Sequence, residues 1–358
     1  MITVDGLHAR LGAFTMAGLS LAVEPGELLV VLGPSGAGKT VLLESVLGLK
    51  ATERGTIKVG DRDVTRLPPE QRGIAYMPQD VALFPHLSVR DNIVFGRRVR
   101  GTLAGVDAEL APLAERLGIG HLLGRRDVRS LSGGEGPRVA LARALIAHPT
   151  VLLLDESFSA LDAHIRRRLL LQLRELQQAL GLTVVYITHS QEEASLVADR
   201  VAVLMAGQIV QVDPTDRLFR RPADLRVARF LQLANVWPIA GGDGARRQVG
   251  AVELELAEPR PAPAAYLGID AADVVLLGAG ERPAAAGGNV FAAEVLRVDT
   301  RFHRATAHLR LTDDPTIVVE AAIGARDRHV AATPLSEGAV IDLYLPPAAV
   351  SEFPEVTP

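Results

Sequence analysis

The sequence predicts an α/β fold with a parallel sheet, followed by a small all-β domain. Short apolar runs at 26–33, 150–157 and 182–190 end in glycine or polar residues, and segments of helical periodicity lie between them. Strands that alternate with helices form parallel sheets covered on both faces. After about residue 235 short segments with period-two alternation follow one another, which is typical of an all-β module and favours a barrel. We therefore expect one domain over 1–235 and a second over 236–358.

The bulk composition excludes several classes of protein. The 358 residues exceed what one core usually supports, and an apolar content of 48% excludes a disordered chain. The net charge of -4 disfavours nucleic acid as the main partner. With no cysteine, disulfides, thiolate metal sites and cysteine nucleophiles are excluded. No signal-peptide pattern and no apolar run of about 18 residues occur, so we expect a soluble intracellular protein that reaches a membrane only by docking.

The longest predicted helix lies over 164–180. Four leucines fall on one of its faces, and we expect that face to be buried and the basic face to be solvated. These leucines are Leu169, Leu173, Leu176 and Leu180.

A phosphate-binding loop is predicted where the first buried strand gives way to a helix. The segment GPSGAGKT fits G-x-x-x-x-G-K-[ST], and its place between a strand and a helix is the context that this pattern requires. Its glycines let backbone N–H groups wrap a phosphate chain at a helix N-terminus. The predicted nucleotide-binding residues are Gly33, Pro34, Ser35, Gly36, Ala37, Gly38, Lys39 and Thr40. Lys39 would reach the outer phosphates, and the Thr40 hydroxyl would hold Mg²⁺.

A second strand, VLLLDES, ends in two acidic residues. Asp155 at the strand end is placed to hold Mg²⁺, and Glu156 to orient or deprotonate an attacking water. Two acids at a strand end are weak evidence alone, and they gain weight from the phosphate loop upstream.

Taken together, the motifs resemble the P-loop ATPase subunit of an ATP-binding cassette (ABC) transporter of the importer type. GPSGAGKT resembles Walker A and LLLDE resembles Walker B, in that family's order. Gln79 matches the Q-loop glutamine, which senses Mg²⁺ and the water, and His189 matches the switch histidine. Phe14 stands where the family places an aromatic residue that stacks on adenine, although it could equally be a core residue. The LSGGE signature and the SALD D-loop add Ser132, Gly133, Gly134, Glu135 and Asp162 to the predicted nucleotide site.

This resemblance implies the cofactors ATP and Mg²⁺, the partners and the location of the chain. In the family two ATPase subunits pack head to tail as a homodimer, and each ATP lies between the Walker A loop of one and the signature of the other. A helical subdomain would span about 80–148, and 82–96 resembles the segment that contacts the integral-membrane permease. The chain would then act at the cytoplasmic face of the membrane, served indirectly by an external solute-binding protein and without nucleic acid.

The tail from about Tyr266 resembles the OB-like barrels called TOBE or Mop domains, in the arrangement closest to molybdate and tungstate importers. Gly288 precedes Asn289 where molybdate-binding Mop proteins have serine, and Pro346 stands near the position of their lysine. A structural or dimerising barrel is therefore favoured over an oxyanion-binding one.

Other interpretations of the sequence remain open. An importer ATPase for sulfate, iron, polyamine, phosphonate or sugar shares the same motifs. A soluble ABC ATPase acting on nucleic acid or ribosomes would lack the membrane-contact segment and the β tail. A binding module with a vestigial ATPase is disfavoured by the intact Lys39, Asp155, Glu156 and His189.

Four residues depart from the family's pattern. Ser157 and Ser190 replace a proline and an aspartate, and we expect mild effects. Gly136 and Pro137 replace an arginine and a glutamine. If a capping box starts the signature helix at Ser132, Pro137 costs about 3 kcal/mol. If the helix instead starts near Glu135, the N–H that proline lacks would be free anyway. We therefore predict a late or irregular helix start.

Overall fold

The computed structural model describes residues 1–259, 264–278, 288–301, 304–324 and 335–354. The chain divides into two compact units, Met1–Thr215 and Asp216–Pro358. The second unit starts with two short helices, and its first strand begins at Asn235. The domain boundary predicted at residue 235 therefore lies inside this unit and stays a prediction.

The first unit is built on a six-stranded sheet in the order β10-β9-β3-β8-β7-β6. Its strands are β3 (Leu28–Leu32), β6 (Ile74–Met77), β7 (Val151–Asp155), β8 (Thr183–Ile187), β9 (Arg200–Met205) and β10 (Gln208–Pro214). All pairs are parallel except β9 with β10. The strands β3 and β8 are buried throughout, as their apolar runs predict. The parallel strands share one carboxyl edge, where β3 leads into the phosphate loop and β7 ends at Asp155.

A four-stranded antiparallel sheet in the order β2-β1-β4-β5 completes the sheet structure of this unit. Its strands are β1 (Ile2–Leu11), β2 (Phe14–Val23), β4 (Arg54–Val59) and β5 (Arg62–Asp63). One hydrophobic core joins this sheet to the first helix and to the central strands. That core fixes the helix behind the phosphate loop.

Six α-helices accompany the two sheets of the first unit. They are α1 (Lys39–Leu47), α2 (Val89–Val99), α3 (Val106–Arg116), α4 (Glu135–Leu145), α5 (Ala163–Leu180) and α6 (Gln191–Val197). The helices α2 and α4 pack against each other in the predicted helical subdomain. None of the helices that the structure describes is long and apolar enough to cross a bilayer.

The prediction for α5 is correct for most of its apolar face and wrong at two points. Leu169, Leu173 and Leu176 are buried, but Leu180 is 53% exposed because it ends the helix just before the left-handed C-cap Gly181. The basic face is not simply solvated, since Arg166 and Arg174 form ion pairs with acidic residues of other segments.

The second unit is largely β-structure, as predicted. Two helices, α7 (Thr215–Arg220) and α8 (Leu225–Phe230), come at its start. The strands are β11 (Asn235–Pro238), β12 (Arg246–Val249), β13 (Val252–Glu255), β14 (Tyr266–Ile269), β15 (Val275–Leu277), β16 (Val290–Arg301), β17 (Arg304–Leu311), β18 (Val318–Ile323), β19 (Val340–Tyr344) and β20 (Ser351–Phe353). They form sheets of five, three and two strands, in the orders β15-β19-β16-β17-β18, β11-β14-β20 and β12-β13. Within the described residues the predicted barrel is thus an open five-stranded sheet with two smaller sheets.

Candidate active site

The loop between β3 and α1 has the geometry of a phosphate cradle. Gly36 and Gly38 adopt left-handed backbone angles, with φ of 80° and 103°, which favour glycine. A Cβ at Gly33 would stand 2.3 Å from the Leu204 carbonyl oxygen, so this position has no room for a side chain. The loop therefore turns tightly onto the N-terminus of α1, where free N–H groups favour an anion.

Lys39, the first residue of α1, folds back over this loop. Its Nζ donates to the carbonyl oxygen of Gly33 at 2.7 Å and to that of Pro34 at 3.1 Å. Burial lowers the pKa of Lys39, while the negative charges of Glu156 and Asp155 act in the opposite direction. A partly desolvated cation therefore lies close to both predicted acidic residues.

Asp155 ends β7 as the sequence predicts, with a hydrogen bond from Tyr76 Oη to its Oδ2 at 3.4 Å. Burial and the charge of Glu156 raise the pKa of the Asp155 carboxyl. Burial, with the nearby Asp155 charge, also raises the pKa of Tyr76 to about 12, so its hydroxyl remains a donor at neutral pH. A half-buried carboxylate beside a second carboxylate is a favourable place for a cation. Together with the exposed Thr40 it offers the oxygen ligands that Mg²⁺ prefers.

Glu156 and His189 meet at the ends of the neighbouring strands β7 and β8. His189 Nδ1 lies 3.1 Å from Glu156 Oε1. Glu156 has a left-handed φ of 43°, uncommon for a residue other than glycine, and its N–H donates to the Ile187 carbonyl at 2.9 Å. Such backbone strain is often retained at functional sites. The structure thus brings the predicted switch histidine next to the carboxylate predicted to orient or deprotonate the water.

For three further predicted residues, the observed contacts do not test the predicted role. Gln79 is exposed and follows β6, the neighbour of β7, on the same sheet edge. Asp162 is the N-cap residue of α5, but its carboxylate makes no capping hydrogen bond. Phe14 is half-buried against the apolar core, and its ring carbon Cζ lies 2.5 Å from where a Cβ of Gly38 would stand. Adenine stacking by Phe14 remains a prediction.

The signature helix begins late, which confirms the expectation drawn from Pro137. The helix α4 starts at Glu135, so Pro137 is its third residue and needs no N–H. Glu135 Oε2 accepts the Ser132 N–H at 2.7 Å, which is one half of the predicted capping box, and the Gly136 N–H donates to the Ser132 carbonyl at 3.3 Å. The start of the helix is therefore irregular as well as late.

The two signature glycines, Gly133 and Gly134, lie next to Leu161 and Ile165 of their own chain. The nearest atoms to a Cβ at Gly133 and Gly134 would belong to Leu161 and Ile165, at 3.9 and 3.0 Å. No atom of the phosphate loop, which the structure describes in full, lies within 4 Å of either point. On the side where a side chain would stand, these glycines therefore contact Leu161 and Ile165 rather than the phosphate loop.

Two contacts beside the acidic residues escape sequence reasoning. Ser157 is 3% exposed, and its Oγ donates to the Met77 carbonyl at 2.7 Å, which ties the acidic turn to the strand leading to Gln79. The departure from proline marks Ser157, but nothing local reveals its partner. Tyr76 carries no sequence signal, because only the pairing of β6 with β7 brings it to Asp155.

In the second unit, Asn289 is fully buried and structural in its contacts. Its Nδ2 donates to the carbonyls of Glu255 at 2.8 Å and Leu345 at 3.0 Å, and its Oδ1 accepts the Glu255 N–H at 2.7 Å. These bonds link three chain segments and occupy both amide hydrogens. They support a structural role for this position over oxyanion binding.

Comparison with known proteins covers both units. Residues 16–159 match the family described as ABC transporter. The molybdate/tungstate import ATP-binding protein WtpC of Thermococcus kodakarensis is 46% identical over 237 residues, which cover 66% of this chain and 72% of that protein. The sulfate/thiosulfate import ATP-binding protein CysA 2 of Chromobacterium violaceum is 38% identical over 358 residues, covering 99% of this chain and 95% of the relative.

A solved structure supports the fold. The crystal structure of the ADP conformation of MJ1267, an ATP-binding cassette of an ABC transporter, is similar with a TM-score of 0.57 and 21% identity. The match covers 64% of this chain and 97% of that one.

Proposed function

The chain belongs to the ABC transporter family as an ATP-hydrolysing subunit of the import type, and we propose that it drives the uptake of an oxyanion of the molybdate and tungstate class. The observation that carries the catalytic part is the convergence of Lys39, Asp155, Glu156 and His189 around one glycine-rich loop. Each of these groups has a separate role in phosphoryl transfer to water.

In the proposed reaction Glu156 accepts a proton from the attacking water, and His189 holds the carboxylate in position. Lys39 and the amides of the 33–40 loop bind the phosphate oxygens, so that the ammonium exchanges its contacts with Gly33 and Pro34 for the nucleotide. Mg²⁺, which Thr40, Asp155 and Gln79 would hold, would neutralise charge on the transferred phosphoryl group.

We propose that two chains form the complete site as a head-to-tail homodimer. Ser132, Gly133 and Gly134 precede the N-terminus of α4, and a Cβ on either glycine would contact Leu161 or Ile165 and no atom of the phosphate loop. A helix N-terminus favours an anion, so these residues suit the γ-phosphate bound by a second copy. Glu135 and Asp162 would complete this interface.

Membrane coupling would use the segment 82–96 at the cytoplasmic face. Arg143 of α4 donates to the carbonyls of Ala82 at 2.8 Å and Val81 at 3.1 Å, and its guanidinium carbon lies 5.4 Å from the centre of the Phe84 ring. The signature helix and this segment are therefore held together. Movement of the helix on dimer closure would be passed to an integral-membrane permease, which receives solute from an external binding protein.

The solute class rests on the relatives. The 46% identity to a molybdate/tungstate import protein favours these tetrahedral oxyanions. Sulfate is the second candidate, because the similarity to a sulfate/thiosulfate import protein extends through the C-terminal unit as well.

The proposal is tested by rebuilding the transporter in vesicles from this chain, a permease of the molybdate/tungstate import class and its binding protein. Uptake of molybdate, tungstate and sulfate would be measured with internal ATP, with the Glu156→Gln chain as the inactive control. We expect ATP-dependent uptake of molybdate or tungstate in preference to sulfate. Uptake of sulfate alone would favour the second candidate, and ATP-independent uptake would contradict the role of the chain.

A further inference from the structure

An ion pair lies behind the predicted water-activating residues. Arg166 of α5 and Glu193 of α6 approach to 3.4 Å between Nη1 and Oε1. The Glu193 side chain is 6% exposed and that of Arg166 28% exposed, although Arg166 belongs to the basic helix face that the sequence predicts to be solvated. Buried ion pairs are weak contributors to stability, because desolvation offsets their attraction. Stability alone therefore does not explain this ion pair, and each partner also makes hydrogen bonds to a segment of the candidate active site.

Arg166 holds the segment that starts at Glu156. Its Nη2 donates to the carbonyl oxygens of Ser159 at 3.1 Å and Leu161 at 2.7 Å. The Ser159 N–H in turn donates to the Glu156 carbonyl at 2.9 Å. The planar guanidinium therefore fixes the turn that carries Glu156 at its beginning.

Glu193 holds the segment around His189 from the other side. Its Oε2 accepts hydrogen bonds from the hydroxyls of Thr188, at 2.6 Å, and Tyr186. The Thr188 Oγ1 also accepts the Ser190 N–H at 3.1 Å, and the Ser190 Oγ accepts the Glu193 N–H at 3.3 Å. Thr188, directly before His189, is thus tied to the Glu193 carboxylate, and Ser190, directly after it, is tied to Thr188 and to the Glu193 backbone.

We infer that the Arg166–Glu193 ion pair is a positioning device that sets the geometry between Glu156 and His189. Arg166 bonds the backbone after Glu156, and Glu193 bonds the Thr188 hydroxyl, which in turn bonds the backbone after His189. The catalytic pair, 3.1 Å apart, is the point where the two supported segments meet. Neither Arg166 nor Glu193 touches the reacting groups. The inference rests on the proposed role of Glu156 and His189 in ATP hydrolysis.

The substitution Arg166→Lys separates positioning from stability. Lysine keeps the positive charge opposite Glu193, so the buried carboxylate stays paired and the fold is retained. A single ammonium lacks the planar set of donors that reaches two carbonyls and a carboxylate together. The Glu156 turn would therefore lose its support. Arg166→Met removes the charge as well, and Arg167→Met on the exposed neighbour is the matched control.

The experiment measures kcat and KM for MgATP hydrolysis by the full chain, well below the Tm of each variant. We expect Arg166→Lys to lower kcat by about tenfold, as a small displacement of catalytic groups does. The KM for ATP and the Tm should stay near the wild-type values, and Arg167→Met should match the wild type in all three.

The possible outcomes separate this inference from the proposed function. An active wild type with Arg166→Lys at the wild-type kcat contradicts the inference alone. A variant that loses Tm and changes kcat and KM in parallel also contradicts it, since that result indicates a purely structural ion pair. If the Arg166→Met variant does not fold, the kcat of Arg166→Lys alone decides between a positioning role and a purely structural one. A wild-type chain without ATPase activity contradicts the proposed function and the inference together.

Discussion

The candidate active site of the first unit and the buried asparagines of the second unit use polar side chains in opposite ways. In the second unit, Asn289 and Asn235 are 0% and 1% exposed, and both bond to backbone groups of other segments. In the first unit, Lys39 lies near Asp155 and Glu156, and Glu156 is held at an uncommon backbone angle. The asparagines of the second unit satisfy buried backbone groups. The charged residues of the first unit lie close together where a ligand can bind them.

The hydrogen-bond partners of a polar side chain therefore distinguish a structural residue from a functional one, without reference to sequence motifs. A side chain whose donors and acceptors are all matched by backbone groups contributes to stability. Carboxylates that repel each other and a partly desolvated ammonium lower stability until a ligand arrives, as functional sites often do. We therefore expect substitutions in the two units to separate activity from stability.

The largest effect is expected for Glu156→Gln. Loss of the proton acceptor should lower kcat for ATP hydrolysis by at least about 100-fold. ATP binding and the Tm should stay close to the wild-type values. Steady-state hydrolysis and binding of a fluorescent ATP analogue measure these quantities. Glu192→Gln, the same change at an exposed residue of α6, should behave as wild type. Comparable hydrolysis by both variants would remove Glu156 from the mechanism.

Asn289→Ala should have the opposite profile. It leaves buried backbone groups of β13 and of the segment after β19 without partners, which should lower the free energy of unfolding by about 2–3 kcal/mol. The kcat for ATP hydrolysis should not change. Denaturant unfolding followed by Trp237 fluorescence reports on this unit. Gln248→Ala, an exposed amide of the same unit, is the control, and equal stability of the two variants would argue against a structural role for Asn289.

A smaller effect, on stability, is expected for Asp155→Asn without nucleotide. Because burial and the charge of Glu156 raise the pKa of Asp155, the Asp155 carboxylate binds a proton more readily in the folded state than in the unfolded state. The contribution of Asp155 to the free energy of unfolding is therefore favourable at low pH. It is lost as the pH rises through the raised pKa that Asp155 has in the folded state. At neutral pH the asparagine should raise the free energy of unfolding by about 1 kcal/mol or less, because solvent screens a part-exposed pair.

The gain from Asp155→Asn should vanish in acid, and hydrolysis should be lost at every pH. Urea unfolding at neutral and acid pH, with parallel ATPase assays, would check both statements. A less stable variant at neutral pH would contradict the proposed repulsion between the acidic residues.

The smallest effect is expected for Pro137→Ala. Since Pro137 is the third residue of α4, its missing N–H has no helical partner, and the free energy of unfolding should change by less than about 1 kcal/mol. In a regular helix from Ser132 the same substitution would stabilise the protein by about 3 kcal/mol. Thermal and urea unfolding distinguish the two cases.

The sequence predicts those parts of the site whose positions follow from chain order. Parallel strands share a carboxyl edge, so the residues after β3, β7 and β8 must meet, and Lys39, Asp155 and His189 do. The late start of α4 is also predictable, because proline excludes only certain helix positions. These inferences need only local rules and the order of the strands.

Other features depend on packing between segments far apart in the chain. The leucine pattern of α5 gives its buried face, but Arg166 turns to Glu193 only once α6 is in place. Leu180 fits the periodicity and is nevertheless exposed, because the helix ends there. The hydrogen bonds of Tyr76 and Ser157 likewise require the registers of β6 and β7.

In the proposed homodimer a complete site needs the phosphate loop of one chain and the signature of another. Its most direct test is the mass of the Glu156→Gln chain in solution, measured by sedimentation with and without MgATP. We predict an ATP-dependent doubling of mass that is lost when Ser132→Arg is added, while nucleotide binding to the phosphate loop persists. A Glu156→Gln chain that binds ATP and remains a monomer, or a doubling that Ser132→Arg does not affect, would contradict the account.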